Sequence, residues 1–223
     1  MHELLRGLLE LVLPPICGRC GGAVPPGQAL CRRCRRSLPR WEGESPPPPG
    51  LTACVAGVAY EGEVLRWLHR FKYPRPGIAG LDPAALCVLR FLIREAAARA
   101  PGPRPQLVVP VSLHARRLRS RGFNPAALLA RIVAHELGTA LDPTALVRVR
   151  DTRSQTNLDR AARRKNLHGA FSVRPGLRPQ ALVWLVDDVV TTGSTVAEAA
   201  RALRRAGAKS VTALCAARTP SPI

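Results

Sequence analysis

A dense group of carboxylate and hydroxyl side chains lies near the carboxyl end of the chain. An apolar run at 181–186 leads into two adjacent aspartates, and a hydroxyl-rich segment follows two residues later and opens a helical pattern. Backbone N–H groups at a helix start are unpaired and partly positive, so such a segment binds phosphate. Carboxylates accept hydrogen bonds from sugar hydroxyls and assist Mg²⁺. The pattern predicts a ribose 5-phosphate site made of Asp187, Asp188, Thr191, Thr192, Gly193, Ser194 and Thr195.

Other interpretations of this segment are weaker. Thr and Ser are good N-caps and Asp is favourable near a helix start, so a buried strand followed by a well-capped helix also fits each residue alone. A Walker B strand needs a GxxxxGK[ST] partner, and Lys72, Lys165 and Lys209 do not lie in one. A response-regulator acidic pair belongs on an early strand, whereas this pair lies close to the end. The whole constellation favours the phosphate site.

Four cysteines near the amino end form two Cys-x-x-Cys pairs separated by ten residues. Two residues between thiols let both sulfurs face one ion from a tight turn, and two such turns complete the tetrahedral thiolate site that Zn²⁺ accepts. The spacing predicts a closed structural zinc site, with a redox dithiol pair or an iron–sulfur cluster as the alternatives. The predicted ligands are Cys17, Cys20, Cys31 and Cys34.

The other three cysteines, Cys54, Cys87 and Cys215, lie in apolar surroundings and are predicted to be core residues. Seven is an odd number, and the segment 1–13 resembles an amphipathic helix more than a secretory leader, so a disulfide scaffold is not expected. No run of roughly twenty apolar residues exists, which excludes a membrane-spanning helix. We therefore expect a cytoplasmic protein.

The charge balance is strongly basic. The chain has 34 Lys and Arg against 15 Asp and Glu, a net charge of +19, which suits a polyanionic partner such as nucleic acid. Most of these basic residues are Arg, and Ala, Pro and Gly are also abundant. All four have GC-rich codons, so genomic composition explains the charge equally well. Aromatic residues make up 4% of the chain, which leaves few side chains for base stacking.

A proline run at 46–50 divides the chain, because consecutive prolines form neither helix nor central strand. The predicted domains are a cysteine-rich head at 1–45 and a body at 51–223. The body alternates predicted strands and helices. The strands are 51–60, 107–111, 144–149, 171–173, 181–186 and 210–217, and the helices are 61–72, 83–100, 125–137 and 195–206. This alternation predicts an α/β fold with a mostly parallel sheet.

The hydroxyl-rich segment resembles the 5-phosphoribosyl 1-pyrophosphate (PRPP) signature of type I phosphoribosyltransferases. The whole chain resembles the ComF family of competence-associated proteins, which join a four-cysteine zinc head to such a domain. The likeness covers nearly the full length. It rests on PPxCxxC at 14–20, CxxC at 31–34, AYEGEVLRWLHRFKY at 59–73, VPVSLHARRLRSRGFN at 109–124 and RSQTNLDRAARRKNLHGAF at 153–171.

The resemblance implies a type I phosphoribosyltransferase-like, mostly parallel sheet flanked by helices, with a small N-terminal four-cysteine zinc domain. Asp187 and Asp188 match the pair that holds the ribose hydroxyls, Thr191–Thr195 match the 5-phosphate loop, and Mg²⁺ accompanies PRPP. The segment 153–169 matches a mobile loop that closes over the site, and a polar surface loop fits it equally. The pyrophosphate loop is matched by Val111, Ser112, Leu113 and His114.

The arginines that follow this loop fit two interpretations, pyrophosphate contacts or a solvated basic helix face. They are Arg116, Arg117, Arg119 and Arg121. No residue is assigned as general acid or base, because a transferase of this type relies on charge stabilisation and positioning more than on a dedicated nucleophile.

In function, the resemblance implies a PRPP-binding protein of natural competence and DNA uptake, with single-stranded DNA and the competence machinery as partners. The alternative is an active phosphoribosyltransferase of nucleotide metabolism that transfers ribose 5-phosphate from PRPP to a nitrogen acceptor. A PRPP-sensing regulator is a third hypothesis. Neither the acceptor nor the oligomeric state follows from the residues.

Overall fold

Short β-branched runs form the strands of this protein, and amphipathic runs bounded by Asn, Pro and Gly form its helices. The computed structural model describes residues 15–41, 46–73, 82–151, 167–175 and 182–220. Within these ranges the helices are α1 Arg32–Arg36, α2 Glu63–Lys72, α3 Pro83–Ala98, α4 Ala115–Arg121, α5 Pro125–Leu137 and α6 Ser194–Arg205. The strands are β1 Ala53–Ala59, β2 Leu107–Pro110, β3 Ala140–Leu141, β4 Leu146–Arg148, β5 Phe171–Val173, β6 Leu182–Val190 and β7 Ser210–Arg218.

Five strands form one parallel sheet in the order β1-β7-β6-β2-β3, and β4 and β5 form a separate antiparallel pair. The central strands are buried on both faces, as parallel strands are when helices cover the sheet. The predicted α/β fold with a mostly parallel sheet is confirmed. The predicted helix at 1–13 and most of the segment 153–169 lie outside the described residues.

The two faces of the sheet are covered by different elements. Helices α2, α3 and α5 pack on one face, whereas α6 and the β4–β5 pair pack on the other. The connection from β2 to β3 therefore crosses one face through α5, and the connection from β6 to β7 crosses the opposite face through α6. Because these connections lead away in opposite directions, a crevice opens between β2 and β6 at their carboxyl ends, where open α/β folds bind ligands.

The predicted boundaries of α5 are confirmed in detail. Asn124 Oδ1 accepts a hydrogen bond from the Ala126 N–H at 3.1 Å, Pro125 is the first helical residue, and Gly138 ends the helix with φ +62°. Such an end needs the left-handed region that glycine adopts without strain. Helix α4 and strand β3 are not among the predicted elements. Among the helices that the structure describes, none is both long and apolar enough to cross a membrane.

Two predictions about individual positions are wrong. Strand β6 does not end before the acidic pair at residue 186, because its backbone stays paired with β7 as far as Val190 and Arg218. Cys87 is not a core residue: it is exposed on the outer face of α3, whose inner face buries other side chains. Cys215 is buried and Cys54 is half-buried, in line with the prediction.

The head packs directly on α3. Its buried residues Cys17, Leu30 and Cys34 belong to the same apolar cluster as Val88 and Leu89 of α3. The approach is so close that a Cβ at Gly18 would lie 2.7 Å from Cγ2 of Val88. The head and α3 therefore share one core, although the division of the chain into domains at 1–45 and 51–223 stays a prediction.

Candidate functional site

The crevice between β2 and β6 brings together two segments that lie far apart in the sequence. Pro110 and Val186 form the last pair of the two strands, and the Val111 N–H donates to the Val186 carbonyl at 2.8 Å. Strand β6 then continues for four residues beyond the end of β2. The acidic pair and the hydroxyl-rich loop therefore lie at the same sheet edge as the predicted pyrophosphate loop, 111–114.

The two aspartates of β6 meet different cationic partners. Successive strand residues point to opposite faces of a sheet, and Asp188 turns towards α2, where its Oδ1 lies 3.0 Å from Lys72 Nζ. Both side chains of this ion pair are largely buried. Burial acts to lower the pKa of the Lys72 ammonium, but the Asp188 charge outweighs it and raises the pKa above its ordinary value. Lys72 therefore stays charged and balances Asp188.

Asp187 faces the side of the sheet that carries β4. Burial, together with the negative charge of Asp188, raises the pKa of Asp187 to about 8, although Lys72 and Arg148 of β4 act to lower it. The Asp188 N–H donates to Asp187 Oδ1 at 2.9 Å. At neutral pH the aspartate pair therefore carries less than two negative charges, while its oxygen atoms remain available to hydroxyl groups.

The hydroxyl-rich loop begins α6 without a side-chain cap. Gly193 occupies the N-cap position with φ +75° and has no side chain to cap the helix, and the Ser194 N–H makes only a long contact, 3.5 Å, to Thr192 Oγ1. The Thr192 and Ser194 hydroxyls lie 3.0 Å apart, Thr191 is exposed, and Thr195 is half-buried. A well-capped helix would have satisfied these N–H groups, so the local geometry favours the anion-binding interpretation.

The proline run lies against this loop. A Cβ at Gly193 would lie 2.5 Å from Cγ of Pro48, so the glycine is required by the contact with Pro48 as well as by its positive φ. Arg204 Nε near the other end of α6 donates to the Gly50 carbonyl at 3.1 Å. Residues 46–50 thus run along α6, and a bulky substitution at Gly193 would disturb this packing whether or not a ligand binds.

The predicted pyrophosphate loop is held in place from both ends. Asn124 Nδ2 donates to the Val111 carbonyl at 3.0 Å, and His114 Nδ1 accepts from the Arg116 N–H at 3.3 Å at the start of α4. The Ser112 hydroxyl is buried and has no hydrogen-bond partner among the described residues, which fits a loop that donates to a ligand. Leu113 is half-buried.

Helix α4 carries the arginines that follow the loop. None of its residues is buried, which agrees with the interpretation as a solvated basic helix face. Arg121 lies with its guanidinium 4.9 Å from the centre of the Tyr73 ring and donates to the Tyr73 hydroxyl at 3.2 Å. Arg116 lies 3.6 Å from Asp151, the last described residue before the segment 152–166.

Three residues near the site escape prediction from the sequence: Lys72, Arg148 and Glu198. Glu198 of α6 is buried and accepts from the Gly169 N–H at 2.8 Å, which ties the end of the predicted mobile loop to the helix after the hydroxyl-rich loop. Lys72 lies in one of the segments that carry the family resemblance, but no local spacing links it to Asp188. The contact between Lys72 and Asp188 becomes visible only when α2 packs on the sheet.

The four head cysteines form a compact cluster, and their sulfur atoms all lie within 4.8 Å of one another. A tetrahedral ion with metal–sulfur bonds of about 2.3 Å separates its sulfurs by about 3.8 Å, and the Cys20 and Cys31 sulfurs lie 3.9 Å apart. The Cys31 N–H points at the Cys17 sulfur at 3.3 Å. The donor set and spacing fit one tetrahedral metal ion.

The thiols in this cluster affect one another's ionisation. Burial acts to raise the pKa of Cys17, but backbone N–H groups of Cys20, Cys31 and Arg19 outweigh it and lower the pKa to about 6. Burial and the neighbouring thiols raise the pKa of Cys34 to about 12. One thiolate therefore discourages the next, and a divalent cation removes this repulsion.

Comparisons with known proteins agree with this architecture. A family model of the phosphoribosyl transferase domain matches residues 120–222. The chain is 37% identical to the DNA utilization protein YhgH of Salmonella typhi, over 92% of this chain and 90% of the relative. It is 34% identical to the YhgH protein of Escherichia coli strain K12 over the same shares, and 29% identical to Competence protein F of Haemophilus influenzae over 88% of this chain and 82% of the relative.

The parallel sheet, its carboxyl-edge crevice and the matched domain give the body a phosphoribosyltransferase-like fold. The relatives extend the match into the cysteine-rich head, because they cover nine-tenths of the chain. The chain belongs to the ComF family.

Proposed function

We propose that this protein binds PRPP with Mg²⁺ in the crevice between β2 and β6. Asp187 and Asp188 accept hydrogen bonds from the ribose hydroxyls, Thr191–Thr195 bind the 5-phosphate, and Val111–His114 contact the pyrophosphate. The observation that carries this proposal is the meeting of the two loops at one sheet edge, beside a helix start that has no side-chain cap. Mg²⁺ supplies positive charge to the pyrophosphate when PRPP is bound.

The four cysteines, in this proposal, bind one structural Zn²⁺. Four protein sulfurs leave no open coordination position, so the ion stabilises the head and performs no chemistry. The alternatives of an iron–sulfur cluster and a redox dithiol pair are separated from it by elemental analysis of the purified protein, which is expected to find one zinc per chain and no iron.

The cellular role that we propose is the use of DNA, in natural competence or in related DNA utilization, within the cytoplasm. Two observations support it: the named relatives are a DNA utilization protein and a competence protein, and they align over most of the chain. In this role the crevice binds PRPP with little or no transfer, and the basic surface binds single-stranded DNA.

An active phosphoribosyltransferase remains the second candidate, because the matched domain is named for that activity. In that case the same crevice would expel pyrophosphate from PRPP when a nitrogen nucleophile attacks C1 of the sugar. The residues would act by positioning PRPP and neutralising the leaving group.

Calorimetric titration with PRPP and Mg²⁺ tests the site. We expect saturable binding by the wild type, and a loss of roughly tenfold or more in affinity in the Asp188→Asn variant, since a hydrogen bond to a charged group contributes about 1.5–3 kcal/mol. Glu61→Gln, at an exposed acidic residue before α2, is the matched control and should bind like the wild type. Equal affinity in the wild type and Asp188→Asn would place the ligand elsewhere.

Pyrophosphate release in the presence of nucleobases separates the two candidate functions, since only the transferase produces it.

A further inference from the structure

A trough lined by arginines runs along the junction between the head and α3. It consists of two depressions of about 680 Å³ and 630 Å³. Both are lined by Arg32 and Arg35 of α1 and by Phe91 of α3, so they adjoin each other across α1. Seven exposed arginines line the trough: Arg32, Arg35, Arg36, Arg40, Arg90, Arg94 and Arg99.

The trough is far more basic than the composition of the chain explains. Glu95 is the one acidic residue among its lining residues, and Arg35 pairs with it at 2.9 Å. The whole chain has 34 basic against 15 acidic residues, so a surface with average composition would carry about one acid for every two bases. A concentration of one sign of charge in a concave surface focuses the potential on an anionic partner.

Most of these arginines are not engaged in the fold. Arg32, Arg36, Arg40 and Arg90 have no acidic partner in the parts of the chain that the structure describes. Arg94 is paired with Glu136 of α5. Arg99, which also lines the trough, differs because its guanidinium donates to the β1 carbonyls of Ala56 and Gly57. The unengaged arginines come from both sides of the junction, the head and α3.

Two half-buried aromatic side chains line the trough between these charges. The Arg35 guanidinium lies 5.0 Å from the centre of the Phe91 ring, and the Arg218 guanidinium lies 4.8 Å from that of Trp41. Guanidinium and aromatic planes stack on nucleobases, and they do so without regard to base identity. Bases reach a recessed ring only when they are unpaired, so this arrangement suits a single strand better than a duplex.

We propose that this trough is the single-stranded nucleic-acid site, in which the head and α3 together bind the phosphate backbone while Phe91 and Trp41 stack bases. The inference deepens the proposed use of DNA and rests on that part of the proposed function. It does not depend on the PRPP site, because the crevice between β2 and β6 and the trough share no residue. Neither half of the junction alone forms the site.

The test is fluorescence anisotropy with a labelled oligothymidylate of about 16 nucleotides, the upper end of the usual site size, at several salt concentrations. The variants are Arg36→Glu in the head, Arg90→Glu in α3, and the two combined. The matched control is Arg104→Glu with Arg131→Glu, two exposed arginines that line neither depression and give the same change in net charge as the combined variant. Zinc analysis of each variant verifies that the head is intact.

We expect each single variant to weaken binding at least about fivefold at low salt, and the control pair to change it less than about twofold, because exposed charges beyond a Debye length are screened. The slope of log affinity against log salt should flatten by roughly 0.7 for each phosphate that is no longer neutralised. An Arg90→Glu variant that binds like the wild type would overturn the shared trough, as would a control pair as damaging as the test pair. Equally tight duplex binding would overturn the single-strand assignment.

Calorimetry with PRPP on the same variants separates this inference from the PRPP site. Arg36→Glu and Arg90→Glu should bind PRPP like the wild type. If PRPP fails to bind while oligothymidylate binding depends on Arg36 and Arg90, the PRPP proposal fails and the trough stands. If PRPP binds but oligothymidylate does not bind the wild type at low salt, the trough is overturned and the PRPP site stands.

Discussion

The cysteine cluster and the aspartate pair are both crowded groups of potential anions, but they limit their repulsion in different ways. The aspartates have cations of their own, since Lys72 binds Asp188 at 3.0 Å and Arg148 acts on Asp187. The four thiols lie within 4.8 Å of one another, and the backbone N–H groups around them lower the pKa of Cys17 and Cys31, whereas the pKa of Cys34 is raised. We therefore expect the head to depend on a bound cation, whereas the aspartate pair is balanced by side chains of the protein and by the raised pKa of Asp187.

The largest effect is expected from replacing one of the four cysteines of the head. In Cys34→Ser, zinc is lost, and because Cys34 and α3 share one core, the free energy of unfolding of the whole chain should fall by about 4 kcal/mol or more. Urea denaturation and zinc content measure this. Cys87→Ser, an exposed cysteine on α3, should leave both unchanged. If Cys34→Ser lost its zinc but kept the urea denaturation midpoint of the wild type, the head would instead fold independently of the sheet.

Next in size is the removal of the cation from the aspartate pair. Lys72→Met leaves Asp188 buried without its partner, so stability should fall by about 3 kcal/mol, since breaking a buried pair costs this much. Adding Asp188→Asn should recover part of the loss, and Lys209→Met at an exposed site should have little effect. Chemical denaturation of the wild type, Lys72→Met, Asp188→Asn and the double variant gives the coupling free energy between the two side chains. Additive single effects would mean that Lys72 does not balance Asp188.

The third prediction concerns the pH dependence of the free energy of unfolding, which reports on the ionisation of Asp187. The pKa of Asp187 is raised from its ordinary value of 3.8 to about 8 in the folded chain, so the folded state holds a proton that the unfolded state releases between these values. The stability from this group is fully present below about pH 4 and is lost as the pH rises through 8. Asp187→Asn, which cannot ionise, should flatten that fall. Parallel melting-temperature profiles of the two proteins from about pH 5 to 9 would contradict the assignment.

The smallest effect concerns one hydroxyl of the 5-phosphate loop. Thr192→Ala should weaken PRPP binding roughly tenfold and leave the melting temperature nearly unchanged, because one hydrogen bond to a charged group is removed while the backbone N–H groups remain. Thr139→Ala, at the far end of α5, is the control. Calorimetry detects the difference, and unchanged affinity would mean that the hydroxyl does not reach the phosphate.

The sequence predicts most features that depend on neighbouring residues, such as helix ends and the cysteine spacing. It predicts few of the contacts between segments that are distant in the chain. Asn124, Pro125 and Gly138 mark α5 correctly because caps act within one turn. The spacing of the cysteines likewise anticipates the cluster. The ion pair of Lys72 with Asp188, and the contact of Glu198 with Gly169, join elements that are distant in the chain, so no pattern in the sequence points to them. The end of β6 is missed because its pairing with β7 overrides two polar residues.

The contact between Pro48 and Gly193 limits how the proline run can change in length. Each residue of an extended proline segment spans about 3.1 Å, so the insertion of a single residue would displace Pro48 by nearly the width of its own ring. The run would then no longer cover Gly193 at one end of α6 and meet Arg204 at the other. The length of this segment is therefore fixed by its contacts at both ends of α6. During evolution it should tolerate substitution more readily than insertion or deletion.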